Sequence, residues 1–140
     1  MSDDGDVVLA DWTHPVEWGK VREFARAVHD PRLGREPPVP PLTFPVVLSA
    51  EFIERFVSEL LPLDRRRTVH GEQDYEYLKP LQVGQVIRCR AKVLRDEVKQ
   101  GQRGGRMRLV TVEVKLTDAS SGETVGFERM TAIEQEALIS

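Results

Sequence analysis

Three side chains able to move a proton stand at telling positions in this chain. His29 and Asp30 are adjacent at the end of a first helical stretch, and His70 opens the run His70-Gly-Glu-Gln-Asp-Tyr-Glu-Tyr-Leu-Lys-Pro-Leu-Gln-Val-Gly84. An acid and a base that reach the same substrate can remove and return its proton. Adjacency alone does not make His29 and Asp30 such a pair, because neighbouring loop residues point in different directions. Asp30 reads equally as a loop acid, and His29 as a partner for the last helical carbonyls at the negative end of the helix dipole. His70 opens the strand after the second helix, and a lone histidine is more often structural. Cys89 is the only cysteine, which excludes an intrachain disulfide, and it sits on an alternating strand as a small apolar residue. No Cys/His cluster has metal-ligand spacing, so no metal is expected, and neither a phosphate-binding glycine loop nor a nucleophile elbow is present.

The elements that must hold these residues follow from periodicity. Val21, Phe24, Ala25 and Val28 recur at helical spacing and form one apolar face, ended by Pro31. Six prolines between 31 and 45 predict an extended loop. Ser49 is suited to cap a second helix over 49–61, with Glu51 in its first turn and Pro62 as its stop. Phe52, Ile53, Phe56, Val57, Leu60 and Leu61 give that helix an apolar face wide enough for burial on more than one side. The period then changes to two. Tyr75 and Tyr77 alternate with acids, Pro80 ends the strand, and residues 80–84 turn the chain. Ile87, Cys89, Ala91 and Val93 mark the next strand, Val110, Val112, Val114 and Leu116 another, and Val125, Phe127 and Ile133 the last. Short connections predict an antiparallel meander, in an α+β domain over 7–140 that follows a mobile tail at 1–6.

Charge and composition narrow the partners. Twenty basic against 23 acidic residues give a net charge of −3, which argues against a nucleic-acid partner. No apolar run approaches the roughly 20 residues of a membrane span, and the acidic start lacks the basic region of a secretory signal, so a cytoplasmic location is expected. Arg65, Arg66 and Arg67, with Arg95, Lys99, Arg103, Arg106 and Arg108, are local basic groups. They could receive coenzyme A phosphates or an acidic carrier protein, or be solvated strand ends.

Two strings in this order, Pro40-Pro41-Leu42-Thr43-Phe44-Pro45 and then His70 to Gly84, resemble the MaoC-like dehydratases, and in particular their amino-terminal-type half, the FAS1-like dehydratase domain. The likeness covers nearly all of residues 15–134, with a shorter loop at 30–40. It implies a hotdog fold, an antiparallel sheet wrapped around a buried central helix, paired edge to edge with another such domain. It also implies the dehydration of (3R)-hydroxyacyl thioesters, carried on coenzyme A or acyl carrier protein, with no cofactor. Catalytic members place a His five positions after an Asp. Asp30 lies on that Asp, but Arg35 stands where the His belongs. The resemblance therefore points to a non-catalytic, substrate-binding half, with Pro41, Leu42, Thr43, Phe44, Ser49 and Gln73 as tunnel residues. Catalysis would come from a partner hotdog chain in a heterodimer. Donors for the thioester oxygen would be backbone N–H groups at the start of the buried helix. Asp30, His29 and His70 remain the weak catalytic candidates. The competing readings are a hotdog thioesterase using Glu51 or Glu54, and a homodimeric thioester binder without catalysis.

Overall fold

The computed structural model describes residues 7–102 and 105–136. The tail at 1–6 and Arg103 therefore lie outside the described residues. An edge strand β1 (Val8–Pro15) leads into helix α1 (Trp18–Ala27) and a looped segment, then into helix α2 (Pro45–Arg55), which runs on as a π-helical turn over Phe56–Leu60. A short 3₁₀ turn (Arg65–Arg67) precedes β2 (Thr68–Tyr77), β3 (Val86–Gln100), β4 (Arg106–Asp118) and β5 (Thr124–Gln135). The five strands form one antiparallel sheet in the order β1-β3-β4-β5-β2.

Three sequence expectations change here. Strand β1 was not foreseen, although Trp12 alternates with the exposed Asp11 and Thr13. The meander holds only for β3, β4 and β5. Strand β2 crosses to the far edge and pairs with β5, with Gln73 opposite Met130 and Tyr77 opposite Gly126. A side chain at Gly126 would run into the Glu76 carbonyl, so only glycine allows the two strands to close at that end. Helix α2 begins at Pro45 rather than Ser49, because proline at the first helical position has its φ already set and no N–H to waste. Ser49 is therefore inside the helix, and its hydroxyl donates back to the Pro45 carbonyl at 3.2 Å.

Helix α1 ends as a Schellman motif. The Asp30 N–H reaches the Ala25 carbonyl at 2.9 Å, the His29 N–H reaches Arg26, and His29 takes φ 57° in the position that glycine usually fills. Downstream, Gly84 at φ 96° gives its N–H to Val16, and Val16 returns its own to Gln85. This stitches the β2–β3 turn to the end of β1.

One face of the sheet receives α2. Leu48, Phe52 and Phe56 are buried against Ile87, Cys89, Ala91, Val110, Val112, Val114 and Leu116. Phe52 stacks between Trp12 at 5.2 Å and Phe56 at 5.9 Å, and the Trp12 indole N–H donates to the Leu48 carbonyl at 3.0 Å. Away from the sheet α2 is less covered: Ala50, Glu51, Glu54 and Arg55 are exposed, and Ile53 and Val57 are half-buried. The opposite sheet face is charged. There Arg129 bridges Glu113, Asp74 and Glu76, and lies over the Phe127 ring.

Because Phe56 is 2% exposed, Phe56→Ala should destabilise the fold by about 3–5 kcal/mol in equilibrium denaturation. A loss below about 1 kcal/mol would mean that α2 is not the centre of the core.

Candidate functional site

A cavity of about 480 Å³ lies between the half-covered flank of α2 with its π turn and strands β2 and β5. Its volume suits a small-molecule ligand. Val46, Ile53, Phe56, Val57, Val69 and Met130 make it chiefly apolar, and Gln73, Thr131 and His70 supply polar atoms. Glu54 and Arg65 also line it and neutralise each other at 2.7 Å. The π turn falls at this wall, where a helix that changes its hydrogen-bond pattern alters the direction of its side chains.

The sequence candidates are not all gathered here. His70 lines the cavity but is exposed, and its Nε2 contacts the Glu72 carbonyl at 3.0 Å, where β2 bulges around Gly71. Asp30 is spoken for. Its Oδ1 accepts from the Arg32 backbone N–H at 2.8 Å and from Nε at 3.1 Å, and its Oδ2 accepts from Nη2 at 2.9 Å. The Arg32 guanidinium and N–H hold the Asp30 carboxyl below the usual carboxylate range. An ionised acid already tied to a guanidinium is a poor proton carrier. His29 is exposed at the helix end, and it is its backbone N–H, not the ring, that meets a helical carbonyl. Arg35 is exposed as well.

The proline string divides. Phe44 is fully buried and meets Phe24 edge-to-face at 5.7 Å, so it belongs to the core rather than to a tunnel wall. Pro41 is buried, Thr43 is exposed and Leu42 is 70% exposed, beside a separate recess of about 260 Å³. The Leu42 carbonyl accepts from the Tyr77 hydroxyl at 2.7 Å, which pins the loop to β2. The start of α2 offers few free donors: Pro45 has none, and the N–H groups of Val46 and Val47 are engaged by Thr43 and Phe44. Of the thioesterase candidates, Glu51 is exposed on the other flank of the helix and Glu54 is paired with Arg65. The basic groups are offset in the same way. Arg66 and Arg67 meet Asp64, Arg95 and Lys99 meet Glu97, and Arg108 meets Asp96. Asp64, held by Arg66 and Arg67, is brought down to about 2.

The residue that sequence reading missed is Glu128. Taken from Val125 and Phe127, the alternation of β5 puts Glu128 on the solvent side. The structure instead turns Phe127 out beneath Arg129 and buries Glu128 completely on the helix side. The signal was the shared parity of Glu128 with Met130 and Ala132, since a one-residue shift exchanges the two faces of a strand. Gln73 donates from Nε2 to Glu128 Oε2 at 2.8 Å, and Oε1 has no hydrogen-bond partner. Burial pushes the Glu128 carboxyl up, and the side chains of Ser49 and Gln73 oppose this. Ser49 and Gln73 are thus brought together through an acid that lies between them. Burial and the nearby Glu128 charge raise Tyr75 and Cys89 to about 12 each, and they raise Tyr77 further, so these groups stay protonated. Among the described residues no three His, Cys, Asp or Glu side chains gather to hold a metal, and no helix is long and apolar enough to cross a membrane.

A single apolar helix laid on the face of a five-stranded antiparallel sheet, with a ligand-sized cavity on its flank, defines a hotdog domain. The FAS1-like dehydratase domain region matches residues 5–126, and the chain belongs to this family. A protein of Thermobifida fusca, named only as a UPF0336 protein, is 40% identical over an alignment 86 positions long that covers 53% of this chain and 57% of that protein. The fold matches the truncated HadBC complex, a 3R-hydroxyacyl-ACP dehydratase of Mycobacterium tuberculosis, with TM-score 0.68 and 22% identity over 94% of this chain and 98% of that one. It also matches a MaoC-like dehydratase of Phytophthora capsici, with TM-score 0.74 and 16% identity over 97% and 50% of the two chains.

The pH dependence of stability should expose the buried acid. A folded-state value above the ordinary 4.5 means that the fold favours protonated Glu128. That contribution is complete below the ordinary value and is lost as pH rises through the raised one. The stability of the wild type relative to Glu128→Gln should therefore fall as pH rises above the ordinary 4.5. Thermal melts of the two proteins across this range measure it, and a constant difference would contradict burial of an ionisable acid there.

Proposed function

We propose that this chain is the substrate-binding, non-catalytic half of a (3R)-hydroxyacyl-thioester dehydratase. The observation that carries this reading is the state of Asp30. The one acid at the family's catalytic position is bound on both oxygens by Arg32, and Arg35 follows where the histidine would stand. Meanwhile the chain keeps a mostly apolar cavity of about 480 Å³, able to receive an acyl chain. Dehydration needs a base for the proton beside the carbonyl and an acid for the departing hydroxyl. Both would come from a second hotdog chain with an intact Asp and His. The hydroxyacyl thioester would be carried on coenzyme A or acyl carrier protein, with no cofactor taking part, in a reaction of the cytoplasm.

The partner has a place to dock. Strand β2 is a sheet edge, with one long side of its backbone unpaired, next to the exposed flank of α2. Such an edge is normally covered. A seam there would bury above roughly 1,000 Å². HadBC, whose fold is shared, is itself a complex, which supports the same arrangement here.

The purified chain should show little or no hydration of crotonyl or longer enoyl thioesters. Adding a hotdog partner with an intact Asp/His pair should restore it, since each general acid–base group contributes about 10²–10⁴-fold. In the restored pair, Asp30→Asn should leave the rate nearly unchanged, whereas Gln73→Leu should alter the preference for acyl chains. Hydration by the isolated chain that Asp30→Asn abolishes would overturn the assignment. In analytical ultracentrifugation the chain made alone should form a homodimer at micromolar concentration, with the same edge covered by a second copy. A strict monomer would contradict the docking role of that edge.

A further inference from the structure

The edge that β2 presents carries a row of like charge. Glu72, Asp74 and Glu76 alternate along the strand, and all three are exposed. Their partners on β5 are Thr131, Arg129 and Phe127, so the row stands on the charged face of the sheet, away from α2. Of those partners only Arg129 bears a charge. It meets Asp74 at 3.3 Å and Glu76 at 2.9 Å while also holding Glu113 at 2.8 Å, so the acids outnumber the cation that serves them. The strand itself contributes no lysine or arginine, and none of the three acids lines the cavity. We propose that Glu72, Asp74 and Glu76 select the chain that covers this edge: a hotdog chain whose own edge strand presents lysine or arginine at alternating positions on the same face, in preference to a second copy of this one. The proposal rests on the paired-chain reading above and adds the chemistry of the partner.

The geometry of strand pairing gives the reason. When two antiparallel edge strands join two sheets with both helices on one side, directly opposite residues share a face. Two copies of β2 joined in this way bring acid against acid: with Asp74 at the centre, it faces its own copy, and Glu72 faces Glu76. A shift of two residues in register keeps the parity and still sets both rows on one face. Like charges directly opposite destabilise a strand pair, whereas opposite charges stabilise it. The unpaired N–H and C=O groups of β2 are the same toward either partner, so the discrimination lies in the side chains. The row that attracts a basic edge strand is the row that discourages a second copy.

The test pairs the chain with a copy of itself whose edge is reversed, Glu72→Lys/Asp74→Lys/Glu76→Lys. Dimer dissociation constants are measured by analytical ultracentrifugation with fluorescence detection of one labelled chain. At low salt the mixed dimer should be about tenfold or more tighter than the wild-type homodimer. In about 1 M salt, where screening acts beyond roughly 3 Å, that gap should shrink to about twofold or less. If the reversed copy does not fold, Glu72→Gln/Asp74→Asn/Glu76→Gln decides the matter. Its homodimer should be about three- to tenfold tighter than that of the wild type at low salt, and the difference should vanish at high salt. Equal affinity of the mixed and wild-type dimers, or a neutral copy that dimerises no better than the wild type, overturns selection by charge and leaves the paired-chain reading standing. Absence of a dimer in every arm, mixed and neutral alike, overturns both.

Discussion

The pairing of β2 with β5 is the constraint on which the rest of the molecule depends. It sets Gln73 against Met130 and Tyr75 against Glu128, so the polar atoms of the cavity come from two strands far apart in the chain. It also makes β2 an edge, with the less covered flank of α2 beside it. Had β2 paired with the next strand in sequence, Gln73 and Glu128 would not meet, and the cavity would lose the wall formed by Met130, Thr131 and Ala132. The geometry at both ends of the pairing is restrictive. Gly126 admits the Glu76 backbone, and the Ile133 side chain packs where any side chain at Gly71 would stand.

Two acids in this fold show how environment decides chemistry. Asp30 lies beside a guanidinium and a backbone N–H, and its carboxyl is held low and ionised. Glu128 lies among apolar residues, and its carboxyl is pushed up because burial penalises the charge. The first falls where the family resemblance sets an acid and is bound on both oxygens by Arg32. The second occupies a position that no motif marks and accepts a hydrogen bond from Gln73 of the cavity wall. Placement of charge follows the same logic elsewhere. The basic residues that looked like a docking surface are drawn into ion pairs with Asp64, Glu54, Glu97 and Asp96, and Asp64 and Glu97 each serve two cations.

The two sequence strings that suggested the family meet in space. Tyr77, from the second, donates its hydroxyl to the Leu42 carbonyl of the first. That bond ties the proline loop to the sheet just before α2 begins at Pro45. The strings are therefore as much scaffold as binding surface, which is why Phe44 is found in the core against Phe24.

Local chemistry by itself determined the buried helix, the alternation of β3 and β4 and the absence of a histidine at position 35. Each of these depends on residues close in sequence: the spacing of Phe52 and Phe56, the run of Val110, Val112, Val114 and Leu116, or the identity of one side chain. Tertiary structure decided what needed distant partners. Strand β1 is short and acquires its form by pairing with β3, and the loop before α2 is anchored on Tyr77 from β2. The inward turn of Glu128 was invisible for the same reason. A strand has two faces that differ by one residue, and β5 became fixed only when β4 and β2 closed on either side of it.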